Sequence, residues 1–239
     1  MTTCLVVPCY QEADALEAFG ALLPALAVDE IVFVDDGSTD ATGERLRGLA
    51  AADPRVRIET HPANRGVGAA MRTGLARATA DVVVVYDADL TYPPADVARL
   101  VAAVEAGADV ATASPFMEGG SAPDVRWARL LLSQGAALAY RHVVGPRARS
   151  VRTFTCAFRA YRKAWIERLA FGSDGFGAAG EILGTALLGG ARVVEIPSRL
   201  SVRSEGDSKM RVLPALGEHL GVLLRLARRR ARSGRVTTG

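Results

Sequence analysis

Short apolar runs alternate with longer segments in which apolar positions recur every three or four residues. CLVVPCY (4–10), EIVFVDD (30–36), RVRIET (55–60) and DVVVVYDAD (81–89) predict strands, the last of them central and buried on both faces. Between them, EADALEAFGALLPALA (12–27), ATGERLRGLAAAD (41–53) and VGAAMRTGLARATA (67–80) predict helices. Ser38, Thr39 and Asp40 are N-cap candidates for the second helix. Strands that alternate with helices imply right-handed crossovers and a parallel sheet covered on both faces. Farther along, PADVARLVAAVEAG (94–107) predicts a helix opened by Pro94, and ADVATAS (108–114) a strand. VRWARLLLSQGAALAYRHVVG (125–145) predicts a long helix, and FTCAFRAYRKAWIERL (154–169) a strand leading into a helix. A helix, a strand, a polar loop at 201–210 and a helix from about residue 213 complete the chain.

Ligands in such sheets bind beyond the carboxyl ends of the strands, and the polar clusters fall there: Gln11 and Glu12, Asp35 and Asp36, Asp87 and Asp89. If the fourth strand stays extended to its end, Asp87 and Asp89 point the same way and can approach one cation. Carboxylates with no His or Cys nearby suit Mg²⁺ or Mn²⁺, which keep waters and share phosphate oxygens. A carboxylate at Asp35 or Asp36 can accept hydrogen bonds from a nucleobase or ribose. Gly66-Val67-Gly68, with Asp87 some way on, has the outline of a dinucleotide fingerprint. The third glycine position is Met71, however, and the strand before it is weak, so that reading is rejected. Arg203 and Lys209 flank a loop that can close over a diphosphate. Arg129 and Ser133, four apart on a helix, share a face that could hold a phosphate.

With 239 residues, 49% of them hydrophobic and 23% charged, the chain is long enough for one large core, and no composition shift marks a second domain. One domain is expected over residues 1–225, including the C-terminal helix, with a basic, flexible tail at 226–239. The net charge of +3 resides largely in that tail, so no nucleic-acid-docking face is expected. Cys4, Cys9 and Cys156 have neither disulfide nor zinc spacing. The start of the chain is unlike a signal peptide, and no run is long enough to span a membrane. A cytoplasmic location is expected, at the membrane's cytoplasmic face if the basic C-terminal helix rests on anionic lipid.

VVPCYQEAD, VDDGSTD, NRGVGAAMRTGLARATADVVVVYDADLTYPP, CAFRAYR and RSEGDSKM, in that order, resemble the inverting family 2 glycosyltransferases, and within them the dolichol-phosphate or polyprenyl-phosphate mannosyltransferase branch. The resemblance implies a GT-A, Rossmann-like single α/β domain with a mixed, mainly parallel sheet and helices on both faces. It implies metal-dependent transfer of a hexose, mannose from GDP-mannose, to a polyprenyl phosphate. Pro8, Tyr10, Glu12, Asp36 and Asp87 would contact the nucleotide, and Asp87 and Asp89 the metal. Arg129 and Ser133 would face the acceptor phosphate, and Arg203 and Lys209 would clamp the donor diphosphate. Two stretches depart from the branch pattern. Ser114-Pro115-Phe116 stands where it has Ser-Arg-Tyr, and Thr153 and Ala157 stand where it has an acid and a glycine. A family 2 enzyme acting on a hydroxyl is the alternative; it would need a carboxylate base, for which Glu181 is the candidate. A non-catalytic nucleotide-sugar binder or membrane-associated scaffold is a further one.

Overall fold

The computed structural model describes residues 1–202 and 212–236. Seven strands form one sheet: β1 Thr3–Cys9, β2 Glu30–Asp35, β3 Val56–Thr60, β4 Val82–Val85, β5 Val110–Ser114, β6 Arg159–Arg162 and β7 Val193–Pro197. Their order is β3-β2-β1-β4-β6-β5-β7. All neighbours are parallel except β6, which runs antiparallel to both β4 and β5. The sheet is therefore mixed and mainly parallel, as the resemblance implied.

Alternation along the strands feeds two cores. Cys4 and Val6 of β1 and Val83 and Val85 of β4 face α3 (Val67–Arg77), α5 (Trp127–Val144), α7 (Ala178–Leu188) and α8 (Val212–Val236). Leu5, Val7, Val82 and Val84 face α1 (Ala13–Leu22), α2 (Thr42–Ala52) and α4 (Asp96–Glu105). All four β4 valines are wholly buried, and each contributes about 1.5–3 kcal/mol by leaving water. Arg159 of β6 is wholly buried as well. Its guanidinium donates to Thr112 Oγ1 (3.0 Å), Phe154 O (2.8 Å) and Ala179 O (2.5 Å), so strand, loop and helix meet on one cation.

Three boundaries differ from the sequence expectations. Strand pairing of β4 ends at Val85, and Ala88 and Asp89 lie in a turn, because Tyr86 Oη donates to Tyr92 O (2.5 Å) and folds 86–92 back on itself. Helix α4 opens at Asp96 with Ala95 as N-cap, so Pro94 precedes the helix. The C-terminal helix continues through Val236. Leu226 is buried, and Arg229 and Arg230 bond to Ala170 O and Val143 O, so the helix stays docked past residue 225.

Tyr140 of α5 and His219 of α8 are joined at 2.8 Å between Oη and Nδ1. Burial lowers the His219 pKa, with Glu218 opposing it. Below the unfolded pKa of about 6.5 the unfolded chain takes up a proton that folded His219 resists. The His219 contribution is thus complete above that pH and falls as pH drops toward the lowered folded pKa. Melting temperatures measured between pH 7.5 and 5.5 should decline, and less steeply in His219→Gln.

Candidate active site

At the carboxyl edge of the sheet the loops after β1 and β2 are joined side chain to backbone. Gln11 N donates to Ser38 Oγ (3.0 Å) and Glu12 N to Thr42 Oγ1 (2.8 Å), while Asp40 N donates to Gln11 Oε1 (3.1 Å). Gln11 Nε2 also donates to Thr39 Oγ1 (2.9 Å). Ser38 and Thr39, expected to cap α2, hold the neighbouring loop instead. The helix starts at Thr42, whose N–H bonds Asp40 Oδ1 (3.0 Å). Gln11 adopts φ +56°, an uncommon conformation for a residue with a side chain, and this network is what sustains it.

These loops form one wall of a cleft of about 250 Å³. It is lined by Pro8, Tyr10, Glu12, Asp36 and Asp87, the five residues expected around a nucleotide, together with Asn64, Gly66 and Phe176. Asn64 follows the third strand and opens one of the stretches that carry the resemblance, though no role was assigned to it. Phe176 comes from the chain just before α7 and is 39% exposed, large for an aromatic side chain.

Asp36 is 2% exposed and is a keystone of this wall. Its Oδ1 accepts from His61 Nδ1 (2.6 Å) and Arg65 N (3.0 Å), and its Oδ2 from Gly66 N (2.7 Å). Because a carboxylate cannot donate to it, His61 carries a proton on Nδ1, and its Nε2 lies 2.8 Å from Thr73 Oγ1. Three of about four acceptor positions on Asp36 are thereby used within the fold.

The glycines at 66 and 68 serve close packing. Gly66 has φ +97°, and a Cβ on Gly68 would lie 2.4 Å from Ser173 O. The first N–H groups of α3 are taken by the chain itself: Gly68 N (2.6 Å) and Ala69 N (3.1 Å) both donate to Asp174 O. A helix whose amino end is filled by a backbone carbonyl does not offer those donors to a pyrophosphate, in keeping with the rejected dinucleotide reading. Gly68→Ala should lower stability by about 1–3 kcal/mol, read from the denaturant midpoint.

Asp87 and Asp89 follow β4, both half-buried, and Asp89 Oδ1 accepts from Thr91 N (3.2 Å). The turn at 88–89 replaces the straight extension assumed from the sequence. Among the described residues no three His, Cys, Asp or Glu side chains converge as a complete metal cage. Two hard oxygen ligands fit Mg²⁺ or Mn²⁺ completed by water and phosphate oxygens, and they do not fit zinc.

Glu181 does not stand as a base. It is 1% exposed and accepts from Arg225 Nε (2.9 Å) on Oε1, and from Ser173 N (2.9 Å), Gly172 N (3.2 Å) and Arg225 Nη2 (3.1 Å) on Oε2. Burial alone would raise its pKa, but the bonds from Arg225 and Ser173 outweigh it and hold the carboxyl below the usual range. A carboxylate so engaged is a poor proton acceptor.

On the other side of the sheet centre, Ser133 Oγ lies 2.9 Å from Thr155 Oγ1, and Arg129 is exposed one turn earlier on α5. Neither lines the cleft. Ser114 Oγ and Thr153 Oγ1, from the two stretches that depart from the branch pattern, are in contact at 2.7 Å. Arg203 and Lys209 lie outside the described residues.

The family model described as glycosyl transferase family 2 matches residues 4–170. The chain is 33% identical over 216 residues to the dolichol-phosphate mannosyltransferase of Pyrococcus furiosus, a match covering 88% of this chain and 60% of the relative. It is 35% identical over 216 residues to the polyprenol monophosphomannose synthase of Mycolicibacterium smegmatis, covering 87% and 80%. In fold it is similar to glucosyl-3-phosphoglycerate synthase from Mycobacterium tuberculosis, solved with Mn²⁺, uridine diphosphate and phosphoglyceric acid. The TM-score is 0.73 at 21% identity, over 95% of this chain and 78% of that one. The architecture is that of a GT-A glycosyltransferase. The chain belongs to glycosyltransferase family 2.

Proposed function

We propose that this glycosyltransferase moves a hexose, mannose from GDP-mannose, onto a polyprenyl phosphate. The observation that carries the reading is the cleft at the ends of β1, β2 and β4, where Pro8, Tyr10, Glu12, Asp36 and Asp87 come together next to Asp89. The names of the two relatives point to the lipid phosphate as acceptor and to mannose as the sugar.

In this reading a phosphate oxygen of the acceptor attacks the anomeric carbon from the face opposite the diphosphate. The bond from that carbon to the diphosphate oxygen breaks with its electron pair, and the configuration inverts. A phosphate monoester, with a second pKa of about 6, is already ionised near neutrality and needs no base. The locked state of Glu181 supports a phosphate acceptor over a hydroxyl, since a hydroxyl would require the base that Arg225 has taken. Asp87 and Asp89 would hold the divalent ion, which neutralises charge on the leaving diphosphate. Arg203 and Lys209 would add cationic charge at the same group, and Arg129 with Ser133 would receive the acceptor's phosphate.

The outer surface supports a seat on a bilayer. Trp127 (74% exposed), Leu131 and Leu138 project from α5, and Leu216, Leu220 and Leu224 from the adjacent α8. Helix α5 has no acidic residue, and α8 carries a run of arginines from 225 to 232. Apolar side chains beside basic ones suit the boundary of an anionic leaflet, here the cytoplasmic one. Among the described residues no helix is long and apolar enough to cross a membrane.

The test offers purified protein a panel of nucleoside diphosphate sugars with Mn²⁺ or Mg²⁺ and a short polyprenyl phosphate, then looks by mass spectrometry for glycosyl phospholipid. A mannosyl product that disappears with EDTA is expected. Turnover confined to hydroxyl acceptors would refute the lipid-phosphate reading.

A further inference from the structure

The chain between β6 and α7 lies between the C-terminal helix and the donor cleft, and both hold it. On the α8 side, Arg225 clamps Glu181, whose Oε2 receives the N–H groups of Gly172 and Ser173. Arg225 Nη2 also donates directly to Ser173 Oγ (2.5 Å), and about two turns earlier Glu218 Oε2 accepts from Gly177 N (3.1 Å). On the cleft side, Asp174 O closes the first turn of α3, Arg72 of α3 donates to Asp174 Oδ1 (2.9 Å) and Ser173 O (3.1 Å), and Phe176 forms part of the wall.

The fit leaves little slack. A Cβ on Gly66 would lie 2.4 Å from Asp174 O, and one on Gly175 would lie 2.3 Å from the Glu218 carboxylate. A shift of the 172–177 segment therefore moves the α3 amino end, and with it Gly66, which bonds Asp36 at the cleft floor.

We propose that Arg225 is a positioning residue for the donor cleft. Acting through Glu181 and the 172–177 segment, it fixes Phe176 and the start of α3 where a nucleoside diphosphate can bind. This rests on the reading that the cleft takes a nucleotide sugar. Arg225 does not line the cleft; it is 42% exposed as a side chain, while its partner Glu181 is buried. Lysine keeps the charge and loses the two-pronged contact, so it should rescue in part.

The test compares full-length wild type with Arg225→Gln, Arg225→Lys and, as a control for loosening of α8 alone, Leu226→Ala. Leu226 is buried against Gly184. Calorimetric binding of GDP and UDP with Mn²⁺ is read beside hydrogen exchange at Gly68, Ala69, Gly172 and Ser173. Arg225→Gln should weaken binding about tenfold and expose those four amides, with Arg225→Lys between it and wild type. Leu226→Ala should lower the melting temperature while leaving affinity and those amides unchanged. Wild-type binding with equal affinity in Arg225→Gln would overturn the positioning role, as would an equal loss in Leu226→Ala. A wild type that binds neither diphosphate would instead overturn the donor reading, and the proposal with it.

Discussion

Asp89→Asn is expected to reduce metal-supported transfer by about 100- to 1000-fold while leaving the melting temperature nearly unchanged. The substitution keeps size and shape and removes one of only two carboxylates at the end of β4. With no third ligand among the described residues to take its place, the remaining Asp87 would hold a divalent ion weakly. Asparagine retains the carbonyl oxygen that accepts from Thr91 N, so the turn at 88–89 should survive. The check is steady-state transfer at several Mn²⁺ concentrations. A variant that recovers full rate at saturating metal has lost affinity alone. One that stays slow at all concentrations has lost charge stabilisation at the leaving group. Wild-type rates at low metal would remove Asp89 from the metal site.

The second large effect is on stability. Asp36→Ala strips the partner from three donors in one buried corner: His61 Nδ1, Arg65 N and Gly66 N. Each buried donor left without a partner costs about 1–3 kcal/mol, and the three relax together, so a loss of about 3–5 kcal/mol is expected from denaturant unfolding. Against a typical domain stability of about 5–15 kcal/mol, this places the variant near the limit of folding. Asp36→Asn keeps one acceptor oxygen and sets an amide NH₂ against donors, so it should fall between the two. If Asp36 touched only ligand, both variants would unfold like the wild type.

The sequence was most informative where one property decided the outcome. Buried alternation in β1 and the valine run of β4 marked the sheet. The acidic clusters at 35–36 and 87–89 marked its carboxyl edge, and the missing third glycine at Met71 turned the 66–68 motif away from a dinucleotide. What it could not carry was pairing at long range. Nothing in RAYR distinguishes an antiparallel strand from a parallel one, since direction is set by the route of the chain. Glu181 has the form of an available base until Arg225, 44 positions on, is found against it. His61 had no ligand spacing because its partner lies just past the end of another strand, 25 residues away. Pro115 and Thr153 depart from the branch pattern at positions far apart in the chain, yet Thr153 Oγ1 touches the hydroxyl of Ser114, the residue next to Pro115, so the two departures lie side by side.

The bonds between the β1–α1 and β2–α2 loops have a consequence for how such a chain can change over time. Gln11 is bound from both ends by Ser38, Thr39 and Asp40, and Thr42 holds the next amide, so neither loop is optimised alone. A replacement at position 11 that cannot both donate and accept strands groups on the other loop, and the reverse holds for 38–42. In an alignment of relatives these positions should covary, with substitutions on one loop tolerated only on backgrounds already altered on the other.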